Sequence, residues 1–153
     1  MPDIKDAAPN FTLPCDISAD VTLSALQPAP VAVFFYPRDD TSGCTREATE
    51  FSELADEFAA AGVLVFGISK DSIASHTKFR TKKSLTVPLL SDQDHDVCER
   101  YGVWKEKNMY GKKFMGIERT TVLIDGDGRI AQRWNKVKVP GHVDAVLEAI
   151  RAQ

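Results

Sequence analysis

Phe34-Phe35-Tyr36-Pro37-Arg38-Asp39-Asp40-Thr41-Ser42-Gly43-Cys44-Thr45-Arg46-Glu47 is the stretch that decides how the rest of the chain is read. The run from Val31 to Tyr36 is apolar and aromatic, as a buried strand is, and Pro37 ends it. A short polar loop follows, with Ser42-Gly43 as turn residues. Beyond it Ala48, Phe51, Leu54, Ala55, Phe58 and Ala61 recur at helical spacing, so a helix begins near Thr41 to Cys44. Cys44 therefore sits in or beside the first turn. Unpaired backbone N–H groups and the positive end of the helix dipole favour a thiolate there over a thiol. A thiolate held in that way is a nucleophile.

Working outward, Gly62 stops the helix and Val63 to Ile68 reads as a second buried strand. Strand, helix and strand at this spacing form a right-handed βαβ unit with parallel pairing. Asp71 or Ser72 caps a helix to about Lys82, and Val87-Pro88-Leu89-Leu90 is a short edge-like strand, where proline is tolerated. Residues 92–101 read as a short helix. Val122 to Ile124 and Ile130 to Trp134 flank Asp125-Gly126-Asp127-Gly128, a hairpin signal. Residues 141–152 close the chain with a helix whose Val143, Val146, Leu147 and Ile150 share one face. Phe11 to Leu13 and Val21 to Leu23 are candidate short strands in an otherwise irregular N-terminal segment. The expectation is an α/β fold, a mixed central sheet with helices on both faces, in one domain over residues 1–153.

Composition narrows the classes. With 43% hydrophobic and 27% charged residues the chain is that of an ordinary globular protein. No apolar run approaches the ~20 residues a membrane span needs, and the N-terminus lacks a secretory pattern. A net charge of −3 argues against a nucleic-acid partner. Three scattered cysteines suit a reducing cytoplasm better than a disulfide framework. His76, His95 and His142 show no metal-ligand spacing, and the Asp125 to Gly128 run lacks downstream calcium ligands, so no metal or cofactor is expected.

Pro37, Thr41 and Cys44 match the P-x-x-x-T-x-x-C signature of the peroxiredoxins. The longer string from Phe35 to Glu47 resembles the bacterioferritin-comigratory (PrxQ) subfamily. Likeness continues at Tyr101 to Trp104, Tyr110 to Ile117 and Arg119 to Asp125, and so covers nearly the whole chain. The resemblance implies a thioredoxin-like fold and a thiol-dependent peroxidase acting on hydrogen peroxide and organic hydroperoxides. It implies that Cys44 attacks a peroxide oxygen and becomes a sulfenic acid. Thr41 would bond the incoming oxygen, besides any role as a helix cap, and Pro37 would fix the loop and exclude water. Arg119 would supply a permanent charge and oriented donors, with Glu47 orienting it.

The chain departs from that family in its other cysteines. A resolving cysteine often lies five residues after the first, where this chain has Thr49, or on the following helix, where Arg80 stands. Only Cys15, after Pro14 in the N-terminal segment, and Cys98, beside Val97 and Tyr101, remain. Cys98 reads as a small buried residue and Cys15 as a loop thiol. A one-cysteine cycle follows, with the sulfenic acid reduced by a small thiol, glutaredoxin or thioredoxin. Two alternatives stand beside it: a redox sensor with slight turnover, and a two-cysteine peroxidase resolved by Cys98. A monomer or weak dimer is expected. The run from Lys105 to Lys113 reads as a solvated loop that raises the local positive potential if it lies near Arg119.

Overall fold

The apolar run from Val31 forms the middle strand of a five-stranded sheet in a computed structural model, which describes residues 2–152. In chain order the elements are β1 (Thr12–Leu13), β2 (Val21–Thr22), a 3-10 turn (Leu23–Leu26), β3 (Val31–Phe35), α1 (Ser42–Glu53), α2 (Ala55–Ala60), β4 (Leu64–Ser69) and α3 (Ile73–Lys83). There follow β5 (Leu89–Ser91), α4 (Val97–Arg100), β6 (Trp104–Met109), β7 (Lys112–Ile117), β8 (Thr120–Ile124), β9 (Ile130–Trp134) and α5 (His142–Arg151). The main sheet has the order β5-β4-β3-β8-β9. β3 pairs parallel with β4 and antiparallel with β8, so the sheet is mixed, and β5 lies at its edge as Pro88 suggested.

All five residues of β3 are buried, because the sheet is covered on both faces. Val31, Val33 and Phe35 point to one face with Phe11, Leu13, Cys15, Cys98 and Tyr101. Phe34 and Tyr36 point to the other, with Cys44, Ala48 and Phe51 of α1, Phe58 of α2, Phe79 of α3 and Val143 and Val146 of α5. Gly67 in β4 makes this second face possible. A Cβ there would meet the Phe34 ring at 2.7 Å, and that ring stacks on Phe51 at a centroid distance of 4.5 Å. The stack fixes α1 against the sheet directly behind Cys44.

Three local expectations change. The helix anticipated over 92–101 contracts to α4, because Asp92 turns its carboxylate onto the N–H groups of Val97 and Cys98, at 3.1 and 2.8 Å. The side chain thus takes amides that a longer helix would have paired with backbone carbonyls, and serves the free first-turn N–H groups of α4 instead. The helix after Cys44 breaks at Leu54 into α1 and α2. The stretch from Lys105 to Lys113 is no loop but most of a two-stranded hairpin, β6 with β7, paired from Trp104↔Ile117 to Met109↔Lys112. It carries no alternation, since both strands are largely exposed, and its tip exposes Met109, Phe114 and Met115, with Tyr110 98% exposed.

Candidate active site

Thr41 takes the N-cap position of α1, so Cys44 is the third residue of the helix. The first intrahelical bond runs from Thr45 N–H to Thr41 O, at 2.8 Å, which leaves the amides of the first turn pointing outward. No acidic residue sits in that turn to offset the positive end of the dipole. The hydroxyl of Thr41 does not cap the helix. It donates to the carbonyl of Arg38 at 3.0 Å, and the side chain is exposed. Pro37 follows β3 directly and is half-buried.

Strand register delivers the arginine. Because β8 runs antiparallel to β3 with Thr120 opposite Phe35, Arg119 arrives at the end of the sheet where the chain leaves for α1. Its backbone carbonyl is held by Val137 N–H at 2.9 Å. The guanidinium forks: Nη2 lies 3.3 Å from Cys44 Sγ, and Nη1 donates to Glu47 Oε1 at 2.8 Å. Cys44, Arg119 and Glu47, 75 residues apart at their extremes, are thereby joined as one cluster. Cys44 and Glu47 are buried, and Arg119 is nearly so.

The electrostatics follow from burial around one permanent cation. Burial pushes the Glu47 carboxyl up to about 7, against the pull of Arg119, and its second oxygen has no hydrogen-bond partner. Burial opposes the charge on Arg119, but Glu47 and Cys44 outweigh it and the guanidinium is held more firmly protonated. His142, at the start of α5, is pushed down to about 4 by burial and by Arg119. It stays neutral, with Nε2 2.7 Å from the Thr121 hydroxyl. Lys107 of the hairpin is depressed by burial and by Arg119 while Cys44 draws it upward, so the charge of one lysine of that run is coupled to the cluster.

Two contributors escape a reading of the sequence. Gly43, taken as a turn residue, lies inside the helix, and a Cβ on it would stand 3.1 Å from Arg119 Nη2. It keeps open the approach of guanidinium to sulfur. His142 had no local signal, since only the packing of α5 beneath β8 brings it to Arg119. The other two thiols lie elsewhere: Cys15 and Cys98 pack on the opposite face of the sheet from Cys44. Cys15 is buried and bridged to Leu90, not a loose loop thiol, and Cys98 is wholly buried as expected. Arg80 fills its position with four bonds, to Asp16 at 2.5 and 3.1 Å and to the carbonyls of Leu85 and Val87 at 2.6 and 2.5 Å. It ties the end of α3 to the N-terminal segment.

A thioredoxin-like sheet with a cysteine at a helix start and an arginine against its sulfur defines a class of thiol enzymes. Residues 4–133 match the AhpC/TSA family. Peroxiredoxin Bcp of Xanthomonas campestris pv. campestris is 46% identical, across 95% of this chain and 92% of its own length. The fold matches a cysteine-to-serine mutant of Xylella fastidiosa PrxQ with a TM-score of 0.94 at 38% identity, over 99% of this chain and 97% of that one. It also matches the Xanthomonas campestris bacterioferritin comigratory protein, solved to explain that protein's alkyl peroxide reduction activity, with a TM-score of 0.87 at 44% identity over 93% and 90%. The chain belongs to the AhpC/TSA family, among the peroxiredoxins of the bacterioferritin-comigratory (PrxQ) type. It is a thiol-dependent peroxidase with a thioredoxin-like fold.

Proposed function

We propose that this peroxidase works through Cys44 alone, with two external thiol groups, from one dithiol or two monothiols, closing each cycle. The observation that carries the reading is the single contact of 3.3 Å between Arg119 Nη2 and Cys44 Sγ, made by neither other cysteine. The Cys44 thiolate attacks one peroxide oxygen. An S–O bond forms, the O–O bond breaks, and the departing oxygen takes a proton to leave as water or an alcohol. Sulfur is oxidised to the sulfenic acid as the peroxide is reduced. Arg119 and the first-turn amides face the charge that develops, Thr41 turns its hydroxyl from the Arg38 carbonyl to donate to the peroxide, Pro37 holds the loop and Glu47 orients the guanidinium. The alkyl peroxide activity of the Xanthomonas relative supports organic hydroperoxides as substrates beside hydrogen peroxide.

Resolution comes from outside. The sheet stands between Cys44 and both remaining thiols, which disfavours an internal disulfide. A first thiol attacks the sulfenic sulfur and releases water, giving a mixed disulfide. A second displaces Cys44 and leaves the donor oxidised. A small thiol, glutaredoxin or thioredoxin fits this role. All three cysteines are free, which suits a reducing cytoplasm. No helix among the described residues is long and apolar enough to cross a membrane. The molecule acts as a monomer or weak dimer, and the exposed hairpin tip is where a weak self-association would form.

The test is sustained turnover of the double variant Cys15→Ser/Cys98→Ser with each class of donor. Steady peroxide consumption equal to wild type is expected. A variant that stalls after one equivalent overturns the one-cysteine cycle.

A further inference from the structure

Between the peroxide loop and α3 lies a buried polar network that the reaction scheme above does not use. Asp39, in the loop between Pro37 and Thr41, is 8% exposed, and His76 on α3 is fully buried. Asp39 Oδ1 accepts from the Tyr36 hydroxyl at 2.6 Å, and Oδ2 accepts from the Ser75 hydroxyl at 2.7 Å. The same Oδ2 lies 2.7 Å from His76 Nδ1. On its other side His76 Nε2 is 2.9 Å from the carbonyl of Leu90. A carbonyl only accepts, so Nε2 carries a proton, and Nδ1 facing a carboxylate carries another. With Asp39 ionised, and accepting from Tyr36 and Ser75 besides, the ring is assigned as an imidazolium paired with it. The Asp39 backbone N–H donates to Asp71 Oδ2 at 2.8 Å, which also accepts from Ser69 Oγ at 2.7 Å.

Donor atoms of Asp39, Asp71 and His76 come within 4.8 Å of one another, a spacing that would admit a cation. Each already has hydrogen-bond partners within the network, and the imidazolium supplies the positive charge itself. The arrangement is a clamp and not an ion site. It grips Asp39 by side chain and backbone at once. The next residue, Asp40, turns with φ 59°, and Thr41 then opens α1. Whatever holds Asp39 therefore sets where the Thr41 hydroxyl and the first-turn amides stand.

We propose that the Asp39–His76 ion pair positions the peroxide loop, which makes His76 a positioning residue of the peroxidase reaction. The inference rests on the reading of Cys44 and Thr41 given above. Facing His76 are the carboxylates of Asp39 and Asp71, the phenol of Tyr36, the hydroxyl of Ser75 on its own helix and the carbonyl of Leu90 from β5. Burial pulls the imidazole down, but Asp39 and Leu90 together outweigh it and the net shift is upward. Tyr36, pushed well up by burial and by Asp39, does not compete for the proton. Loss of the His76 proton at alkaline pH sets a lone pair against Asp39 Oδ2 and loosens the loop.

The experiment compares two reactions of one sulfur, peroxide reduction by stopped flow and alkylation by iodoacetamide, across pH in wild type and His76→Asn. Alkylation needs the thiolate but no oriented peroxide. In wild type the peroxide rate should fall on the alkaline side while alkylation does not. In His76→Asn the peroxide rate should drop about tenfold near neutral pH and lose its alkaline limb, with alkylation within about twofold of wild type, since small misplacements in such sites act on oriented steps. Should that variant fail to fold, Ser75→Ala, which removes one donor to Asp39 and no charge, should show the same selective loss at about threefold. A peroxide rate that is unchanged, or that falls in the same proportion as alkylation, overturns the proposal. Failure of the Cys44 reading looks different, because peroxide reduction would then survive Cys44→Ser.

Discussion

Cys44 and Cys98 are equally buried, at 1% and 0% exposed, and stand in opposite electrostatic surroundings. Cys44 faces a guanidinium at 3.3 Å and a helix N-terminus without an acidic residue. Cys98 packs on the other face of the sheet beside Asp92 and Glu99. Burial and then Asp92 push its thiol far up, and Lys70 only partly offsets them. Burial by itself makes a cysteine inert, since it disfavours the anion. What separates the two is the sign of the neighbouring charge, and for Cys44 that charge comes from a strand 75 residues away.

The largest effect that could break this contrast is Cys44→Ser. Peroxide reduction should vanish with the fold intact, because a serine hydroxyl is not ionised near neutral pH. Activity persisting in that variant, measured as peroxide consumption, would move the site elsewhere. Next come Arg119→Lys and Thr41→Val. Lysine keeps the charge but loses the fork that reaches sulfur and Glu47 together, and valine removes the loop's hydroxyl donor. Each should slow the peroxide reaction by ~10²–10³, the usual loss for one oriented donor. Stopped-flow rates near wild type for both would show that the positive side of the comparison is misassigned.

The charge around Arg119 also predicts how stability depends on pH. Between about 4.5 and about 7 the native protein keeps a proton on Glu47 that the unfolded chain has released, so this group lowers stability as pH rises. Between about 4 and 6.5 the unfolded chain protonates His142 while the native protein refuses, so that group lowers stability as pH falls. Each contributes about 3 kcal/mol over its full range. The opposing slopes leave wild type nearly flat where the windows overlap. Glu47→Gln should uncover a loss on acidification and His142→Gln the reverse, read by urea titrations across pH. Parallel profiles for the two variants would contradict the assignment. The smallest effect belongs to Cys98→Ser. It should leave the peroxide rate unchanged and lower stability by no more than about 1 kcal/mol, because a serine hydroxyl there can donate to the Asp92 carboxylate as the thiol does.

Much of this was legible before any coordinates. The apolar run at 31–36, the helical spacing after Cys44 and the next strand together force a parallel βαβ unit, and these are local or short-range signals. The Asp125 to Gly128 turn announced its hairpin for the same reason. The hairpin over 104–117 was not legible, because its strands are charged and exposed and lack the alternation that burial imposes. Arg119 could be placed beside Cys44 only through family resemblance, since the contact depends on antiparallel register between β3 and β8. Gly43 and His142 carry no periodic or motif signal, and their importance exists only once that register is set. The Asp39–His76 pair is hidden likewise, joining a loop to a helix 37 residues on.

The most direct test of the central claim is to treat the wild-type protein with one equivalent of hydrogen peroxide and a sulfenate-reactive probe, then map peptides without reduction. The probe should be carried on Cys44, with no internal disulfide formed. A Cys44–Cys98 or Cys44–Cys15 bridge in high yield would contradict it.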